Sequence, residues 1–121
     1  MISGWFLRLA TLFGVVGLVL GIQMGAAQDH SLMPVHAHLN LVGWVSMFFY
    51  GLFYRAFPHH EGRLAAIQLC LATLGMLVMA PGIFGAVRNL PWGEPMAIAG
   101  SFLTLGAFLI FTLQVFRATS R

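Results

Sequence analysis

Residues 33–56 read MPVHAHLNLVGWVSMFFYGLFYRA, a run that is apolar nearly throughout yet holds two histidines, His36 and His38. Wound as an α-helix, 24 residues extend about 36 Å. That is enough to cross a hydrocarbon core of about 30 Å. Pro34 suits the first turn, where its missing N–H would have had no partner anyway. An ionisable side chain inside such a span is costly and marks a functional site by default. The stretch therefore identifies a membrane helix and asks what two histidines do inside it.

Three more apolar runs of similar length flank this one, at about 5–26, 64–87 and 96–116. Polar breaks separate them: QDHSLMP at 28–34, PHHEGR at 58–63 and RNLPWGEP at 88–95. The chain is 60% hydrophobic and 7% charged, against about 25% charged in a soluble domain. We therefore expect an all-α integral membrane protein, a four-helix bundle formed by residues 1–121 as one domain. An alternative treats residues 1–27 as a signal peptide, with GAAQ as its cleavage site. Against it, Arg8 lies within the apolar run rather than before it.

Arginine placement sets the expected orientation. Four spans put both termini on the side of the 57–63 loop, with Arg8, Arg55, Arg63, Arg117 and Arg121. Only Arg88 falls on the other side. By the positive-inside rule both termini are cytoplasmic, in a bacterial inner membrane. Membrane lipid is then the surrounding partner. The six basic residues form no stripe, so nucleic acid is not an expected partner. Cys70, the lone cysteine, rules out an internal disulfide and reads as a small buried hydrophobe. Gly17, Gly21 and Gly25 form a small-residue stripe that lets another helix approach, within one chain or between chains. Pro81, Gly82 and Gly85 predict a kink or early stop in the third helix.

His36 and His38 point about 200° apart on a regular helix. They cannot both ligate one small ion, but each can serve a different centre. Imidazole is the ordinary axial ligand of haem iron. Gly43, two turns below His36, offers room for a ring, and Asn40, one turn below, a hydrogen bond. The plainer alternatives are that both histidines only bond to neighbouring helices, and that Gly43 only packs. His59 and His60 read as a solvated loop beside Glu61. His30, beside Asp29, reads as a surface group or an extra ligand.

The segment HAHLNLVGWVSMFFYGLFY (36–54) resembles the tenth helix of the catalytic subunit of the haem–copper oxidase superfamily, most closely the C-type enzymes. There a His-x-His is followed by Gly-Trp-Val, as Gly43, Trp44 and Val45 here, and later by a tyrosine, as Tyr54. The likeness covers 19 of 121 residues. It implies that His36 and His38 ligate two different haems, haem b being expected. In the family this helix is the second in the last of three four-helix arcs, as it is the second of four here. The resemblance also implies that Arg88 pairs with a haem propionate. The chain lacks the family's copper-ligating histidines, so oxygen reduction, proton pumping and nitric oxide reduction are not carried over.

The other three helices contain no histidine. A bis-histidine haem then needs His36 of one chain and His38 of the next, a head-to-tail contact that must close into a ring. A homotrimer with one haem per interface would repeat the three arcs. His–Met ligation through Met24 or Met96 is the rival within one chain. Six-coordinate haem suits electron transfer, with quinol or a periplasmic electron carrier as the donor. Alternative functions are haem or copper handling, gas sensing, or a structural subunit of a larger membrane complex.

Overall fold

The computed structural model describes residues 1–120, and they are all-helical apart from short turns. Helix α1 is Ile2–Ala27. A second rod follows in three consecutive pieces: α2 (Met33–His38), a π-helical stretch (Leu39–Ser46) and α3 (Met47–Ala56). A 3₁₀ turn, Pro58–His60, leads to α4 (Arg63–Val87) and then α5 (Gly93–Thr119). Helices α1, α4 and α5 are each long and apolar enough to cross a membrane. The second rod is helical without interruption, since His38 and Ser46 at its two joints keep right-handed helical angles. Its winding changes in the middle, where the sequence predicts one regular helix.

Helices α1 and α4 end in the same way. Gln28 and Asn89 adopt left-handed backbone, with φ of 52° and 57°. The Asp29 amide then reaches back to the Met24 carbonyl, and the Leu90 amide to that of Gly85. These bonds satisfy carbonyls that a helix end would otherwise leave open. At the opposite end the Ser3 amide donates to Glu61 Oε1 at 2.5 Å, and Gln114 Nε2 to the His60 carbonyl at 3.1 Å. The start of α1, the 58–62 turn and the last turns of α5 thus meet at one end of the molecule.

The core draws on every rod. Phe6 and Ala10 of α1 pack with Met47, Tyr50 and Tyr54 of α3, Ala65 and Ala72 of α4, and Ala107 of α5. A smaller cluster joins Val35 and Leu39 to Met76 and Met79. Helices α4 and α5 approach backbone to backbone: a Cβ on Gly100 would stand 2.5 Å from the Met79 amide nitrogen. Gly82 and Gly85 serve the same contact, against Ala97 and Trp92. The early stop predicted at Pro81 does not occur. Helix α4 runs through Pro81 to Val87, because the glycines after it are used for packing rather than for a turn. Cys70 is also corrected: it is exposed on the surface of α4, on the apolar outside rather than in the core.

Candidate functional site

The second rod lies along α1 through three side chains four residues apart. His36 sits over Gly21, Asn40 over Gly17 and Trp44 over Gly14. On a regular α-helix, residues four apart drift by about 40° per step, so Trp44 would swing well off the line of His36. The wider π winding, with its i→i+5 bonding, reduces that drift and keeps all three on α1. The Ser46 hydroxyl, donating to the Leu41 carbonyl five residues back at 2.7 Å, follows the same spacing. The glycine stripe is therefore used within the chain at Gly17 and Gly21, and Gly14 extends it. Gly25 faces open space.

The geometry fixes the tautomer of both histidines. His36 Nδ1 lies 2.7 Å from the Gly17 carbonyl of α1. A carbonyl only accepts, so Nδ1 carries the proton and donates. Asn40 Nδ2 comes within 3.2 Å of that nitrogen but donates to the His36 carbonyl at 2.8 Å. The shorter bond decides, because the opposite tautomer would set two acceptors 2.7 Å apart. His38 Nδ1 donates in turn to the Pro34 carbonyl at 2.7 Å. Each histidine thus has its proton tied to backbone and its lone pair on Nε2. Both residues are half-buried, and neither Nε2 is among the buried polar atoms without a partner. Neither lone pair is sealed unpartnered in the core. Backbone-tethered Nδ1 with free Nε2 is the ordinary arrangement of a metal-ligating imidazole.

The other site residues predicted from sequence fall as follows. Asn40 touches His36, and its Oδ1 is buried without a partner. Gly43 faces elsewhere: Phe13 and Met76 fill the space where its side chain would be, both within 3.2 Å of a built Cβ. The room beside Gly43 is therefore occupied within a single chain. Arg88 is exposed at the end of α4, with its guanidinium 5.8 Å from the centroid of Phe84. Asp29 lies at the same end. The Ser31 amide, donating at 3.0 Å, holds its carboxyl below the usual range, and Arg88 and His30 add to this. Met24 is buried and Met96 half-buried.

An open apolar groove of about 540 Å³ runs beside the histidine end, between α1, α2 and α4. Val35 and Leu39 line it, rather than either histidine, and so does Phe84, over which Arg88 lies. No set of three or more His, Cys, Asp or Glu placed to hold a metal ion occurs among the described residues. An axially held haem needs only one or two protein ligands, so the fit rests on His36 and His38 singly.

Sequence reasoning missed a second polar group in the apolar interior. The Tyr54 hydroxyl, fully buried, donates to Gln68 Oε1, and Gln68 Nε2 has no partner. Gln114, 4% exposed, holds the 58–60 turn through His60. The available signal was two amide side chains within otherwise apolar helices. Compared with protein-family models, curated proteins and solved structures, the chain matches none.

Proposed function

We propose that this chain is an integral membrane four-helix bundle that binds haem b through His36 and His38 and passes electrons. The observation that carries the reading is the pair of imidazoles with Nδ1 held by backbone carbonyls at 2.7 Å and Nε2 left free. Each imidazole therefore keeps one nitrogen for a ligand after its bond to backbone is made. Since α2 is regular α-helix over His36 and His38, the two lone pairs serve separate irons about 200° apart. A haem would supply a one-electron couple at each.

His36 rests on the chain's own α1 through Cε1 and Nδ1, and both histidines are only half-buried. Haem is then held between copies, His36 of one and His38 of the next, in a closed ring for which we propose three chains. Arg88, exposed at the same end, would pair with a propionate. Both termini lie in the cytoplasm and the histidine end faces the periplasm, where quinol or a soluble carrier would deliver electrons.

The test is the visible spectrum of detergent-purified protein from haem-replete cells, oxidised and then reduced with dithionite. Narrow, split α and β bands on reduction mark six-coordinate haem. His36→Ala and His38→Ala should each abolish that signature. A spectrum without a Soret band, or one unchanged by both substitutions, sinks the proposal. A haem-loaded monomer would remove the shared ligation.

A further inference from the structure

The end of the molecule away from His36 carries a cleft of about 310 Å³. His59 and His60 of the 3₁₀ turn, Arg63 of α4 and Arg117 of α5 line it, with Gly62 and Gln114. Two arginines and two histidines from three elements converge on one opening. A second hollow of about 390 Å³ shares His59, His60 and Arg117 and continues over apolar Phe57 and Ala118.

Among the described residues, no acidic side chain lines either hollow. Glu61 is the one acid nearby, and its carboxylate is already engaged. It accepts the Ser3 amide and lies near the N-terminal amine and Arg55. Gly62 and Arg63 are the cap and first residue of α4. That helix start has no side-chain cap and no acid in its first turn, so its positive end adds to the field in the cleft. The cleft is also preformed. Gln114 ties α5 to the turn through the His60 carbonyl at 3.1 Å and His60 Nδ1 at 3.3 Å.

We infer that this cleft binds a phosphate-class anion, supplied as the headgroup of an anionic membrane phospholipid. Guanidinium groups match phosphate oxygens in pairs. The apolar hollow beside the charges favours an amphiphile over free phosphate. Basic pockets between membrane helices at the cytoplasmic surface hold such headgroups. The inference rests on the membrane reading of the helices and is independent of haem.

The test is native mass spectrometry of the full chain in detergent, titrated separately with dioctanoyl phosphatidylglycerol, dioctanoyl phosphatidylcholine and inorganic phosphate. Phosphatidylglycerol should bind, phosphatidylcholine should not, and phosphate should bind far more weakly. R63Q and R117Q should each weaken phosphatidylglycerol binding about fivefold. R8Q, outside the cleft, should leave it unchanged. Circular dichroism of each variant confirms folding. Equal binding of the two lipids, or equal loss in R8Q, overturns the site. Phosphate binding as tightly as the lipid overturns the lipid source.

Discussion

The imidazole of His36 rests on Gly21, with its Cε1 2.7 Å from the point where a Cβ on that glycine would stand. No side chain fits there without moving the ring. Gly21→Ala should displace the imidazole and break its bond to the Gly17 carbonyl. In a helix interior, alanine for glycine ordinarily stabilises by about 1 kcal/mol. Gly4→Ala, in the first turn of α1 with nothing within 4 Å of its Cβ, should show no steric loss. Gly21→Ala should instead lower the melting temperature and, on the proposed haem reading, the haem retained per chain. Retention equal to that of Gly4→Ala would show that the seat does not position His36.

Gly100 poses a harder constraint, because its Cβ would strike the backbone of Met79 rather than a movable side chain. Overpacking of a close interface costs about 1–3 kcal/mol and sometimes more. Gly100→Ala should therefore destabilise more than Gly21→Ala, by separating α4 from α5. Thermal melts in one detergent give the ranking.

The Tyr54–Gln68 pair should be worth less than the loss of either member. Tyr54→Phe strands Gln68 Oε1 in a site that is fully buried, at a cost of about 1–3 kcal/mol. The double change Tyr54→Phe with Gln68→Leu leaves nothing unpaired and should recover most of that loss. A double-mutant cycle by chemical denaturation measures the coupling.

Glu61 sets an acid limit. The Ser3 amide, donating to its carboxylate, holds Glu61 below the usual glutamate range. A depressed folded-state pKa gives stability that is present above the ordinary value of about 4.3 and lost as pH falls through the folded value. Melting temperature should therefore drop on acidification below about pH 4.3. Glu61→Gln should show a smaller drop over that window while losing some stability at pH 7.

Much of the architecture was legible because apolar run length and polar breaks carry it. Pro34, Gly62 and the 88–92 turn mark helix ends by chemistry that acts within a few residues. The partner of each face was not legible. Gly43 falls on the His36 face by α-helical counting, yet it packs on Phe13 and Met76. The count assumes 3.6 residues per turn, and the π winding of Leu39–Ser46 breaks that assumption at the site itself. That winding is set by contacts with α1, at Gly14 and Gly17, which lie over 20 residues away in sequence. Cys70 was misplaced for a related reason: in an apolar helix, hydrophobicity does not distinguish the inward face from the outward one. The histidine pair was visible as an anomaly, but the tethering of each Nδ1 needed coordinates.

The π stretch also changes what the second rod tolerates in length. Removing one residue from a regular helix turns everything beyond it by about 100°, which would tear Gly51 from Leu7 or His36 from Gly21. A wide-wound segment holds surplus chain for its height. Loss of a residue such as Leu41, 63% exposed, lets the backbone tighten toward α-geometry while both ends keep their neighbours. The middle of this rod is where the family of viable sequences can differ in length, and a shortened variant would report how firmly the histidine end is geared to the rest.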